Sequence, residues 1–411
     1  MIKKIKSLSK NKDVKKLSIN FLSLFSVQGL NILLPLLTLP YLFRILGAEK
    51  FGIIAFAFSM ITFFRVFVDY GFQLYATREI SQNIDNKDKT TEIFNTILSA
   101  KIILLLISFL ILNLLILFFE KFSNEWILFY FTFLFVVGET IFPVWFFQGI
   151  EDMKYIGYLN LFAKIFFTIG IFIFIKNESD YIIQPLLNGL GLIFIGIYSL
   201  YLINIKYKIN FKFAPIQDIK KVLIESWNIF ITQLMPNLYN NFSTFLLGFF
   251  TSMENVGYFS LATKIIDVAN SIIHIIRNVT FPHLAKDYSK FNQITKFMII
   301  VSSIITLGIF STSIFILPPI FGEKVYFSIT VIYILALSPF LLAISSSFGS
   351  NKLIVLKKDK EYKKIIMNIS ILGFIGTWIF IPIWGIIGAS INLIIIRGLI
   401  SLFVYKKSKE F

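Results

Sequence analysis

LLPLLTLPYLFRILGAEKFGIIAFAFSMITFFRVFVDYGFQLYATREI, Leu33 to Ile80, decides what kind of protein this is. It holds two apolar runs joined by the short connector Arg44 to Lys50, with Arg65 and Asp69 set inside the second run. Residues four apart share one helical face. A charge at the centre of a hydrocarbon layer costs about 2.5–3.5 kcal/mol on insertion scales, so such residues face a partner or a wet cavity rather than lipid. The stretch therefore predicts membrane helices around a polar interior.

The rest of the chain agrees. Of 411 residues, 56% are hydrophobic and 15% charged, and the mean hydropathy is +0.78. Apolar runs repeatedly exceed the roughly 20 residues a bilayer requires. There is no cysteine and there are two histidines, His274 and His283, which leaves no disulfide and little with which to build a zinc site. The formal charge of +16 sits in short loops between apolar runs, where the positive-inside bias accounts for it without nucleic acid. Seven lysines in the first sixteen residues precede an apolar run reaching Phe43, longer than the core of a cleavable leader, so that run is read as a first membrane span.

Twelve spans are expected, over 17–43, 51–74, 94–119, 126–147, 155–175, 182–205, 223–250, 257–283, 295–317, 326–348, 365–382 and 386–405. With Lys296, at the very start of its span, counted with the loop before it, 28 of the 39 Lys and Arg fall on one side, five on the other and six inside spans. That asymmetry predicts both termini in the cytoplasm. The expected organisation is a basic N-terminus over 1–16, a first lobe over 17–205, a linker over 206–222, a second lobe over 223–405 and a tail over 406–411. Displacing the sequence by 205 positions gives ten identities between Lys16–Ile61 and the second half, among them Gln28 with Gln233, Glu49 with Glu254, Gly52 with Gly257 and Ala57 with Ala262. Both copies start on the same side, which makes the repeat parallel and places a ligand site between two six-helix lobes.

Polar stripes point into that space. Gln28, Asn31, Pro35 and Thr38 share a face of the first span, and Gln233, Asn237, Asn240 and Thr244 share one of the seventh. They are candidates for cavity lining; the same spacing also serves helix packing through polar side chains. Pro35 and Pro236 each remove a backbone donor and permit a kink.

Setting aside Glu225 and Lys296 in the first turns of their spans, nine charges fall inside spans: Arg65, Lys101, Lys164, Lys264, Arg277 and Arg397 against Asp69, Glu139 and Asp267. Internal ion pairs alone would need equal numbers, so the surplus of cations suggests an anionic visitor such as phosphate. Lys101, about two turns inside the third span, and Arg277, near the end of the eighth, could instead reach toward the surface, and Lys264 and Asp267, three apart, could neutralise each other. Asp267, Asn270, His274 and Arg277 form a stripe along the eighth span. Asp69, Glu139 and Asp267 are the carboxylates available to bind a coupling proton or sodium ion. No nucleophile with a base and orienting group, and no GxxxxGK[ST] loop, is present in the sequence, so catalysis is not expected.

Two motif series are more specific. Pro35, Pro40, Tyr41, Arg44, Leu46, Gly47, Glu49, Phe51 and Gly52, then Asp69, Tyr70, Gly71, Phe72, Ala76, Thr77, Arg78, Glu79 and Ile80, resemble the polysaccharide transporter (O-antigen flippase) family. The stretch WFFQGIEDMKY, Trp145 to Tyr155, looks like that family's signature after its fourth helix. The resemblance implies an all-α, two-lobed bundle of the multidrug/oligosaccharidyl-lipid/polysaccharide superfamily working by alternating access in a bacterial inner membrane. It implies a cargo of oligosaccharide linked to undecaprenyl pyrophosphate, no cofactor, and a polymerase and chain-length regulator as companions. A small-molecule exporter of the same superfamily would call for a more apolar or acidic cavity, and a membrane glycosyltransferase for a large outer loop. Gly47, Gly52 and Gly71 read as turn or close-packing positions, and Gln148, Gly149, Glu151 and Asp152 as a tight cytoplasmic connector.

Overall fold

A computed structural model describes residues 12–286 and 288–411, with side chains over 34–281, at 284 and over 288–411. It is helical, with no strand among the described residues. In chain order the helices are α1 Lys12–Asp69, α2 Phe72–Gln82, α3 Lys87–Phe118, α4 Trp126–Ile141, α5 Val144–Gly149, α6 Lys154–Phe174 and α7 Ile183–Tyr207. The second half continues with α8 Ile216–Phe250, α9 Met253–Lys286, α10 Phe291–Phe321, α11 Tyr326–Leu335, α12 Ser338–Ser345, a π-helical segment Ser346–Ile354 and α13 Asp359–Ser408.

Among the described residues, nine helical stretches are long and apolar enough to cross a membrane. Two of these bend sharply, α1 at Gly47 (φ 70°, ψ 171°) and α13 at Gly385 (φ 54°, ψ −130°). At Gly47 a side chain would meet the steric penalty of positive φ, so glycine lets the chain turn back without a loop. Hydropathy places gaps at these two positions and the chain bends there, but the helices run further than the apolar residues do. α8 begins at Ile216 rather than 223 and α13 at Asp359 rather than 365. Polar residues outside hydrocarbon continue a helix that apolar residues start, and a hydropathy window does not register them.

The packing falls into two sets. α4 packs on α7, α6 on α7, and α1 on α3, α4 and α6. In the second half α8 packs on α13, α9 on α11, α10 on α12 and α12 on α13. The sets meet where α1 crosses α8 and α9. At that crossing a methyl group built on Gly52 would overlap the Met253 carbonyl, and one built on Gly257 would overlap the Ala48 carbonyl. Under the 205-residue offset Ala48 corresponds to Met253 and Gly52 to Gly257, so the two contacts are copies of each other. Reciprocal contact of this kind is what a two-fold relation generates.

Contacts bridge the two sets at both ends. At the Gly47 end Arg44 donates to the Pro319 carbonyl, Lys121 donates to the Gly248 carbonyl, and Phe56 stacks on Phe245 with centroids 5.5 Å apart. At the other end Tyr70 stacks on Phe230 at 4.5 Å with the rings 6° from parallel, and the Tyr75 hydroxyl donates to Glu225.

Candidate functional site

Three neighbouring cavities share lining residues, two at this junction and one inside the second half. One of about 620 Å³ is lined from the first half by Pro35, Thr38, Glu139, Asn160, Lys164, Gln184 and Asn188, and from α9 by Lys264, Asp267 and Ser271. A second of about 530 Å³, toward the Tyr75 end, is lined by Arg65, Asp69, Gln73, Lys101 and Glu139, with Gln233 and Asn237 facing them from α8. A third of about 560 Å³ lies within the second half and is lined by Asn240, Thr244, Asp267, Asn270, His274, Arg277 and Arg397. Glu139 and Asn160 are shared by the first and second, Asp267 and Ser271 by the first and third. Each volume is in the range of ordinary small-molecule sites.

The helix faces explain this lining. Asn237 and Asn240 turn their side-chain amides onto the carbonyls of Gln233 and Pro236 one turn back, at 2.9 and 3.0 Å, next to the position where Pro236 supplies no donor. Thr38 likewise donates to the Leu34 carbonyl at 3.1 Å. α8 continues as a helix through Pro236. Gln28, Asn31 and His283 lie outside the residues whose side chains are described.

All six intramembrane cations expected from the sequence line one of the three cavities, as do the three carboxylates. Their pairing crosses between helices. Arg65 Nε donates to Glu139 Oε2 at 2.7 Å, joining α1 to α4, and Lys101 Nζ lies 3.5 Å from Asp69 Oδ1, joining α3 to α1. The Lys101 side chain is 5% exposed, so it turns inward to Asp69 rather than toward a surface. Asp267 accepts from Asn270 Nδ2 at 3.4 Å, and no Lys264–Asp267 ion pair within 4 Å occurs among the described residues. Arg397 donates to the Ser338 hydroxyl and, at 3.5 Å, to Asn240 Oδ1. Arg78 pairs with Glu79 at 2.8 Å, away from Asp69.

Three lining residues escape a charge-based reading of the sequence. Asn160 stands one turn before Lys164 on α6, and Gln184 and Asn188 stand one turn apart on α7. The signal was there: amides at helical spacing inside apolar runs. Outside the spans, the connector after α5 is clasped by Asp152, which accepts from Lys206 and Tyr207 at 2.7 Å each and lies 3.4 Å from Lys154. Gln73 Nε2 donates to Gln148 Oε1 at 2.7 Å, tying α2 to the end of α5 just before that connector.

Comparison with known proteins places this arrangement. A chain from Escherichia coli (strain K12) named "Putative O-antigen transporter" is 28% identical over 399 residues, covering 94% of this chain and 96% of that one. One of the same name from Shigella dysenteriae is 26% identical, covering 95% and 99%. Among solved structures, the inward closed conformation of the lipid II flippase MurJ superposes with a TM-score of 0.72 at 16% identity, over 94% of this chain and 87% of that one. The inward-facing conformation of a multidrug resistance MATE transporter of the MOP superfamily gives 0.67 at 13% identity, over 92% and 94%. These structures share the fold of this chain. The family model described as "Polysaccharide biosynthesis protein" matches residues 17–288, and the chain belongs to that family, with the fold of the MOP superfamily.

Proposed function

We propose that this protein is a flippase that moves lipid-linked oligosaccharide across the bacterial inner membrane through the cavities between its two halves. The observation that carries the reading is a set of neighbouring cavities, two at the junction of the helical sets and one inside the second half, whose linings together hold six cations and three carboxylates in an otherwise apolar bundle. A sugar chain and its phosphates are costly to pass through hydrocarbon, whereas a polyprenyl tail is at home there. A polar path between the halves carries the head while the tail stays in lipid. The names borne by the curated relatives and the fold shared with a lipid II flippase support the same reading.

In the fuller form of the proposal the carrier is undecaprenyl pyrophosphate, both termini face the cytoplasm, and the lobes over 17–205 and 223–405 rock against each other about the Gly52–Gly257 crossing. Asp69, Glu139 and Asp267 are the groups proposed to link transport to a proton or sodium gradient. A polymerase and a chain-length regulator are its proposed companions. Cations outnumber carboxylates in the lining, which favours an anionic cargo over the organic cations of a drug exporter.

The test is reconstitution in liposomes with a fluorescent undecaprenyl-pyrophosphate oligosaccharide, scored by how much label a membrane-impermeant quencher reaches with time. Protein-dependent exchange between leaflets supports the proposal. Exchange no faster than in protein-free liposomes, from correctly folded protein with and without an imposed ion gradient, overturns it.

A further inference from the structure

The cations of the cavities are not equivalent. Arg65 and Lys101 each hold a carboxylate on another helix. Arg277 and Arg397 do not: among the described residues neither has a carboxylate within ion-pair distance, and their hydrogen bonds go to neutral groups. Arg277 shares the Oδ1 of its neighbour Asn278, at 3.2 and 3.0 Å, and Arg397 reaches Ser338 and Asn240. Both line the cavity inside the second half. A guanidinium has five donors in a flat fork, and these bonds leave part of each fork to serve a planar or tetrahedral oxyanion.

The same cavity also shows unmet acceptors. Asn270 is 6% exposed, its Nδ2 is turned to Asp267, and its Oδ1 is buried with no partner. One turn along α9, His274 Nδ1 is buried with no partner as well. A buried polar atom without a partner costs about 1–3 kcal/mol, so such atoms mark a place where something else donates. Two arginines against the single carboxylate of the lining, Asp267, disfavour a divalent metal ion in that role. Hydroxyl groups on an anionic ligand satisfy both halves of the pattern.

Resting on the flippase reading, we propose that the second-half cavity is the head-group site. Arg277 and Arg397 take a phosphate, and Asn270 and His274 accept hydroxyls from the sugar attached to it. The ion pairs Arg65–Glu139 and Lys101–Asp69 are then internal ties between helices rather than ligand contacts. A sugar phosphate reaches the site as the head of a lipid or as a soluble molecule.

Equilibrium binding to the full chain in lipid nanodiscs tests this with three radiolabelled probes: a monosaccharide on undecaprenyl pyrophosphate, glucose 1-phosphate, and inorganic pyrophosphate. Arg277→Gln and Arg397→Gln are expected to raise Kd at least tenfold for every probe that wild type binds. Asn270→Ala is expected to raise it for the two sugar-bearing probes and to leave pyrophosphate within twofold. The control Asp152→Asn, on the connector after α5 and outside the linings of the three cavities, is expected to stay within threefold, with elution and melting temperature checked for each variant. Binding of the lipid probe alone assigns the source to lipid, and binding of both sugar probes leaves the site open to soluble sugar phosphate. Glucose 1-phosphate binding that depends on Arg397, from a protein that does not flip, sinks the flippase and keeps the site. Unchanged affinity in both arginine variants, or no binding of any probe to wild type, overturns the site itself.

Discussion

Gly52 and Gly257, equivalent positions of the internal repeat, are where the two halves touch backbone to backbone. Gly52 lies against the Met253 carbonyl and the Gly257 amide, and Gly257 against the Ala48 carbonyl. Glycine at both positions follows from this approach, because any Cβ would occupy the place of a carbonyl group on the other half.

Gly52→Val is therefore expected to separate the halves at that end and lower stability by about 1–3 kcal/mol, the usual cost of overpacking. The melting temperature of the purified protein in detergent should fall, and protease cleavage at the Gly47 end should rise. An unchanged melting temperature would mean the crossing is looser than described.

Lys101 and Asp69 form the more enclosed of the two ion pairs, with side chains 5% and 25% exposed. Asp69→Ala leaves an ammonium buried without its partner and is expected to cost about 3 kcal/mol. Lys101→Met combined with Asp69→Ala should recover much of that loss. A double-mutant cycle in denaturant measures the coupling, and strictly additive losses would show that the pair does not act as a unit.

Asp152 gives the connector after α5 a pH response. Partial burial pushes its carboxyl up, but hydrogen bonds from Lys206, Tyr207 and Lys154 outweigh this and leave it below the ordinary carboxylate value. Stabilisation from such a group is fully present above the unfolded-state value, near 3.9, and fades as the pH falls through the folded-state value. The gap in melting temperature between wild type and Asp152→Asn should stay constant from about pH 8 to 5 and narrow below about pH 4. A gap that widened on acidification would contradict the sign.

Much of this was legible in the sequence because the bilayer makes local composition decisive: apolar runs mark the spans, and a polar residue inside one must face other helices. Gly47, Gly52 and the 205-residue offset could be read from the chain alone. The partners of Arg65 and Lys101 could not. Glu139 is 74 residues from Arg65, and which helix faces meet depends on rotation and tilt that no residue spacing encodes. The clasp of Tyr75 on Glu225, 150 residues apart, was hidden for the same reason. Lys264 and Asp267, three apart in sequence, line one cavity without an ion pair within 4 Å among the described residues, and the side-chain hydrogen bond Asp267 accepts comes from Asn270, a detail that spacing does not encode.

That clasp offers the most direct test of the central claim, that lipid-linked oligosaccharide passes between the halves. The sequence contains no cysteine, so Tyr75→Cys/Glu225→Cys in the full chain carries the only two thiols. A reducible bifunctional thiol reagent can lock that end shut. In liposomes, transfer of a fluorescent undecaprenyl-pyrophosphate oligosaccharide between leaflets should stop when the two residues are linked and return when the link is reduced. Transfer at the full rate through the locked protein would show that the cargo does not take this path.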